Sequence, residues 1–476
     1  MIDARLWLAA LVAWPALVVG LSFLRIDVER LRATAVACAM AMLGTSLAVF
    51  AVPELGTVSL GPAPLGEALG GGELVRVDAL ASALLPFAAG LWLLTVAASP
   101  RAALDRGGLR RTALATLTTL GCFLTESPVV LLALWTASVA TFLSALADPA
   151  HRHQRRIVAA YLGASTVLFG AGVLLLVWPG TRGTWFEAAG IWLIVIAALI
   201  RKGIFPFHAW VPEVFDRGRL GPAILFSAPQ LGAYVTAVLI VPRAPADVLR
   251  VIAILALGTA VYGAVLALVQ TSARRACGYL FMSQSALVMA GLDCTSNEAL
   301  TGGLLLWLSA GIAFAGLART VLVLEARRGR LDLSRHHGGY ERMPVLATSF
   351  LTMGLACTGF PGTLGFVGQE LLVDGAVDAF PVLGFAVVVA AAFTGLAVLR
   401  MYFALFCGRS HASADSGIQL GLTRREAWTF ASVVLVLVGT GIVPGPIVDS
   451  RLAASDEIMR LRQPSRTATP PTLVIP

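Results

Sequence analysis

Long apolar runs, separated by short polar turns, organise the chain from end to end. They lie near 6–24, 33–52, 78–99, 112–125, 128–147, 157–178, 188–216, 221–241, 250–270, 276–292, 299–324, 345–378, 380–406 and 427–447. Most meet or exceed the roughly 20 apolar residues that one helical crossing of a bilayer needs. Within them apolar residues cover most of the helical circumference, as contact with lipid requires. The pattern predicts an all-α polytopic membrane protein with about 14 transmembrane helices. Only Glu126 and Ser127 divide the fourth run from the fifth, and the run at 221–241 reads as a simple span. The first run is long enough to span and no small-residue cleavage site follows it, so it is expected as a membrane helix rather than a signal peptide.

Two runs, 188–216 and 345–378, are too long for single straight spans and are interrupted by glycine and proline. The first passes through Arg201, Lys202, Gly203, Pro206 and His208; the second through Gly359, Pro361, Gly362, Gln369 and Glu370. Proline removes a backbone donor and clashes with the preceding turn, and glycine frees the backbone, so each run should break in mid-membrane and resume. Freed backbone groups at that depth must face protein or a hydrated cavity. The breaks fall five spans apart, and an odd offset turns one copy upside down relative to the other. The expected architecture is therefore two inverted five-helix repeats, each containing a broken helix. The expected divisions are three leading helices (1–111), a first repeat (112–241), a second repeat (242–406), and a last helix with tail (407–476). The glycine- and proline-rich stretch from Gly61 to Gly72 and the tail from Pro464 to Pro476 read as connectors.

Composition agrees: 58% of the 476 residues are hydrophobic and 13% charged, with a mean hydropathy of +0.83. Soluble chains run to about a quarter charged, so a soluble enzyme or nucleic-acid binder is excluded. The net charge of +8 comes almost wholly from arginine, since Lys202 is the only lysine. The arginines gather in alternate loops, among them Arg25 and Arg30, Arg110 and Arg111, Arg155 and Arg156, Arg217 and Arg219, Arg274 and Arg275, Arg327 and Arg328, and Arg424 and Arg425. By the positive-inside rule these loops are cytoplasmic, which places both termini on the outer face of an inner (cytoplasmic) membrane. The polar turn from Asp293 to Glu298 then falls outside. Six scattered cysteines without a CxxC pair read as small core residues.

The candidate chemistry sits at the breaks. Arg201 and Lys202 precede Gly203, and an ionisable group in the bilayer core costs several kcal/mol unless paired or hydrated. A desolvated lysine can release its proton whereas arginine practically cannot, so Lys202 is the candidate carrier and Arg201 a fixed charge beside it. His208 could relay protons. Glu370 and Asp374 lie one turn apart on one helix face and could form an acidic exit. Arg319 and Arg400, near the ends of their spans, are expected to snorkel to the interface.

These residues resemble the antiporter-like membrane subunits of respiratory complex I (NADH-quinone oxidoreductase) and Mrp-type cation/proton antiporters. Arg201 to Pro212 is similar to the family's break motif, Gln270 to Arg275 with Tyr279 to its span junction, and Asp332 to Pro344 to its following loop. Phe360 to Thr363 with Gly365 and Phe366 resembles the second break, and Arg400-Met401-Tyr402 the next span; the likeness covers roughly 120–450. The resemblance implies a proton path of buried Glu, Lys and His, onto which Arg201, Lys202, His208, Arg274, Glu370 and Asp374 are carried. Several members of that path are replaced. The acid after Trp135 is Thr136, no lysine or arginine lies between Arg219 and Arg243, Ala310 and Phe314 stand at a histidine and a lysine position, and Gln369 precedes Glu370.

The resemblance implies a proton- or cation-translocating subunit of a complex I-related assembly, with other membrane subunits and the bilayer as partners. It implies no redox centre, cofactor or metal of its own, and at most a non-redox part in a translocase. Two alternatives stand beside it. One is the membrane subunit of an inorganic-carbon (CO2/bicarbonate) accumulating complex, with a peripheral cytoplasmic partner; the other is a non-conducting scaffold. No nucleic-acid partner is expected.

Overall fold

The computed structural model describes residues 4–52, 59–60, 75–100, 104–181, 183–379, 381–408 and 421–462. The connectors at 61–72 and 464–476 lie outside the described residues. Apart from a two-residue antiparallel pairing of Ser59–Leu60 with Val75–Arg76, the described elements are helices. Among the described residues nine helices are long and apolar enough to cross a membrane, and Leu6–Leu21 and Pro344–Cys357 are shorter apolar helices.

One helix sits at the centre. Asn297–Arg328 runs for 32 residues, and 94% of its apolar window is buried inside the protein. For Arg424–Ile442 the figure is 22% and for Pro149–Val177 28%, so those helices form the lipid-facing rim. Small residues let the central helix approach its neighbours. A Cβ on Gly302 would meet the backbone nitrogen of Leu372 at 2.5 Å, and one on Gly291 would meet the Cα of Gly303 at 2.6 Å. Close backbone contact of this kind supplies the dispersion attraction that membrane helices have in place of a hydrophobic drive. Helix starts are fixed by side-chain caps: Asp78 accepts from the Ala81 nitrogen, Asp105 from Gly108, and Ser296 from Ala299.

Both expected breaks occur. Trp185–Lys202 ends at Gly203, whose φ of +69 closes the last turn, and the chain resumes as Trp210–Arg217. Pro344–Cys357 ends before Gly359 (φ +72) and resumes as Leu364–Ala379. Either backbone conformation would strain a residue carrying a Cβ. The helix expected from 112 begins earlier, at Arg106, under the Asp105 cap.

Three expectations require correction. The run at 221–241 is not a simple span: Leu220–Ser227 stops at Ala228-Pro229-Gln230, and Leu231–Val235 continues into a π-helical turn, Thr236–Ile240. Pro229 takes a donor from the ladder, and Gln230 adopts a left-handed conformation with φ 53. Gly445–Arg462 is a further helix, too polar to register as a span, that packs on Asn297–Arg328 and Ala79–Ala98. Asp293 does not lie in an outer turn; it closes the buried helix Ala273–Asp293.

Candidate functional site

Arg201 and Lys202 end the same helix, and successive helical residues project about 100° apart, so their side chains enter different compartments. Both are buried, at 6% and 1% exposure. The helix end that carries them is held by groups from other elements. The Trp210 Nε1 donates to the Ile200 carbonyl at 2.9 Å, and Ser165 Oγ donates to the Ala197 carbonyl at 2.8 Å. Each gives its carbonyl a second donor, the Ile200 carbonyl also accepting from the Gly203 N–H at 3.1 Å, and so ties this helix end to its neighbours.

The Lys202 stem lies against Gly232, where a Cβ would stand 2.7 Å from the lysine Cγ. Its Nζ donates to Oε1 of Gln230. The unexpected break at Ala228–Gln230 therefore has a consequence: the left-handed turn presents a neutral amide oxygen to the ammonium. Trp307 secures that turn by donating its Nε1 to the Pro229 carbonyl at 3.0 Å. Asp293, 1% exposed, lies near enough to Lys202 for the two charges to interact, yet makes no ion pair with it. Neither carboxylate oxygen of Asp293 has a hydrogen-bond partner among the described residues. The Arg462 guanidinium also acts on Asp293 and donates to the Val241 carbonyl at 2.9 Å.

Arg201 faces a cavity of about 550 Å³. Its Nη2 donates to Ser138 Oγ at 2.7 Å, and the guanidinium lies 4.1 Å from the Trp135 ring centroid and 4.6 Å from that of Phe226. Ser138, Thr141 and Ala145 line the cavity along one helix, and their spacing gives a depth of about 10 Å at a helical rise of 1.5 Å per residue. The mouth carries Asp105, His151, Arg219 and Arg274. Asp105 is 73% exposed there. Arg274 is held by Glu325 at 2.5 Å and by the Gly218 carbonyl at 3.2 Å.

The remaining candidates stand apart. His208 is half-buried on the flank of the bundle, its ring between Phe205 (centroids 5.6 Å apart) and Tyr262 (5.3 Å), beside a cis Phe205–Pro206 peptide. No contact joins it to Lys202 among the described residues. Glu370 and Asp374 are exposed, whereas Gln369 is buried with its amide against Gly359. Arg319 does not snorkel: it is 1% exposed and donates to Thr95 Oγ1 at 2.7 Å and Ser99 Oγ at 2.9 Å. Arg400 bonds the carbonyls of Leu268 and Gln270 at a helix end.

Sequence reasoning passed over the polar triplet Ser283-Gln284-Ser285, fully buried in mid-helix. Ser285 Oγ donates to the Lys202 carbonyl at 3.4 Å, Ser283 meets Thr394 at 3.5 Å, and both ends of the Gln284 amide lack partners among the described residues. An unpartnered buried amide costs about 1–3 kcal/mol unless water reaches it. Consecutive polar residues inside an apolar helix were the available signal.

A family model described as NADH:quinone oxidoreductase/Mrp antiporter, transmembrane, matches residues 157–394. The chain is 27% identical to NADH-quinone oxidoreductase subunit M of Pseudomonas aeruginosa over 312 residues, covering 63% of this chain and 60% of that one. It is 28% identical to subunit N of Alkalilimnicola ehrlichii over 309 residues, covering 61% and 62%. The matches thus span about three fifths of the length of these relatives. A chain in respiratory complex I from Thermus thermophilus superposes with a TM-score of 0.84 at 21% identity, covering 96% of this chain and 100% of that one. One in the Mrp complex from Dietzia sp. gives 0.82 at 17% identity, covering 97% and 99%.

Proposed function

Because the chain belongs to the NADH:quinone oxidoreductase/Mrp antiporter transmembrane family, we propose that it is a proton-translocating membrane subunit of a complex I-related assembly. In this reading Lys202 is the group that holds and releases the proton. The observation that carries it is the placement of the only lysine in the chain: buried at a helix break, bonded by a neutral amide, and flanked by a buried carboxylate without a hydrogen-bond partner among the described residues. A structural ammonium in such a place would be expected to carry an ion pair, since an unpaired buried charge costs several kcal/mol. A group that alternates between charged and neutral forms escapes most of that cost.

The route follows from the compartments. The cavity at Arg201 leads inward from the Arg219–Arg274 end, proposed as cytoplasmic on the distribution of loop arginines. Arg201 keeps its proton and acts as a fixed charge that repels a second cation beside it. Gln230 orients the lysine amine, and Asp293, whose carboxylate oxygens have no hydrogen-bond partner among the described residues, receives the proton on the way to the opposite face. Glu370, Asp374 and His208 take no part in this route. The polar triplet 283–285 offers a polar link from the Lys202 backbone toward Thr394.

The same reading includes the finer architecture. Counting each broken helix as one crossing gives about 14 spans, with the breaks at Gly203 and Gly359 related as inverted repeats, both termini outside, in a cytoplasmic membrane. Other membrane subunits are the proposed partners. The test is proton flux in proteoliposomes containing the full chain, read with an entrapped pH dye. Lys202→Met should reduce flux to the background of empty vesicles while the chain inserts normally; wild-type flux in that variant refutes the reading.

A further inference from the structure

The cavity ends on a cation that the protein leaves without a counter-ion. Among the described residues Arg201 makes no ion pair; its Nη2 is taken by Ser138, its face by Trp135 and Phe226, and its Nη1 is buried without an acceptor. The other lining arginines are already answered: Arg111 by Asp105 at 3.6 Å, Arg219 by Asp148 at 3.6 Å, and Arg274 by Glu325 at 2.5 Å. Among the described lining residues Asp105 is the only carboxylate, and it belongs to the exposed mouth. The wall hydroxyls donate to carbonyls of their own helices, Ser138 to Trp135 and Thr141 to Ala137. Arg201 is therefore the cation at the inner end whose hydrogen-bonding capacity the protein leaves unfilled. Arg319, also buried without an ion pair, holds the opposite wall through Thr95 and Ser99 and adds its charge to the field.

We propose that this cavity binds a small monovalent oxyanion of the formate, nitrate or bicarbonate kind, held at its inner end by the Arg201 guanidinium, which turns its unpartnered Nη1 toward the ion as it enters past the arginines of the mouth. A guanidinium pairs with a planar oxyanion through directed N–H donors, and such charge-assisted bonds are the strong ones in a low-dielectric site. Among the described residues Arg201 is the one lining cation without a counter-ion, and Arg319 behind the wall has its donors taken by Thr95 and Ser99, which favours one anion over a polyanion. The space accommodates the ion with part of its hydration shell. Clefts lined by one sign of charge concentrate counter-ions and speed their entry. The site does not depend on proton movement through Lys202, and its test reads binding alone.

The experiment uses the purified full chain in detergent, with chloride as the probe and formate as the competitor. The exchange broadening of the chloride NMR line should contain a saturable component that millimolar formate removes. Arg201→Gln should weaken it by at least about tenfold, the loss expected for one charge-assisted hydrogen bond. Ser138→Asp keeps the arginine but places an internal carboxylate where the hydroxyl now accepts from it, and should abolish the component. Broadening that formate does not displace overturns the proposal, as does unchanged affinity in a variant that melts like the wild type. Should Arg201→Gln fail to fold, Ser138→Asp decides the matter.

Discussion

Replacing Gln230 by methionine isolates the contact on which the lysine depends. Methionine keeps the unbranched stem and shares the cost of a Cβ at φ 53, so the left-handed turn is strained equally in both proteins. What disappears is the amide oxygen that accepts from Lys202 Nζ. A hydrogen bond to a charged group contributes about 1.5–3 kcal/mol, and the 1% exposure of Lys202 leaves little water to replace it. Gln230→Met should therefore cost about 2 kcal/mol of stability. Lys202→Met removes the charge itself, and the long stem against Gly232 is preserved by the new side chain. In the double variant no ammonium remains to be stranded, so the two effects should couple by about 1.5 kcal/mol or more. The assay is reversible unfolding of all four proteins in mixed micelles titrated with SDS. Strict additivity would refute the argument, because it would mean that the amide contributes nothing to holding the charge.

Four further outcomes follow from the same geometry. Arg319→Met should be tolerated within about 1.5 kcal/mol, because Thr95 and Ser99 already donate to backbone carbonyls and lose no acceptor; a double Thr95→Val, Ser99→Ala variant should cost about 3 kcal/mol by stranding the guanidinium, and thermal melting compares the two. Arg274→Met should cost about 3 kcal/mol by leaving the buried Glu325 carboxylate unpaired, read in the same SDS titration. Gly302→Val should destabilise by about 3 kcal/mol or more, since its Cβ would meet the Leu372 backbone nitrogen at 2.5 Å; accessibility of cysteines placed on the Leu364–Ala379 helix reports the separation. In the loop outside the membrane, the Ser334 backbone N–H holds the Asp332 carboxylate below its ordinary range. A group depressed in the folded state stabilises above its unfolded value and loses that contribution as pH falls. Hydrogen exchange at the Ser334 amide, corrected for the intrinsic rate, should stay protected at neutral pH and lose protection only in strong acid.

The architecture was legible because lipid imposes one requirement on every residue it touches, and a run of apolar side chains satisfies it visibly. The breaks at Gly203 and Gly359 were legible for the complementary reason: glycine and proline cluster there beside charge. The break at Pro229 has the same chemistry in thinner form, one proline inside an apolar run, and its importance shows only once Gln230 is found against Lys202. Asp293 borders a polar turn, so local pattern placed it outside; packing that no local pattern encodes leaves it 1% exposed. Arg319 lies near a helix end, which suggested an interface. Its helix is the 32-residue core of the bundle, and its partners stand 220 and 224 positions away. Pattern along a sequence reports the solvent of a face; it does not report which distant side chain will meet it.

The helix Gly445–Arg462 clasps a much earlier stretch of the chain, residues 76–80. Arg451 donates to the carbonyls of Ala79 and Leu80, 372 and 371 positions earlier, Glu457 pairs with Arg76 at 2.5 Å, and Arg462 acts on Asp293. During biosynthesis these latches close only after residues 445–462 have emerged, 371 and 372 positions behind the carbonyls that Arg451 holds. A nascent chain shortened before Gly445 therefore reaches the bilayer without the clasp on the Ala79 and Leu80 carbonyls.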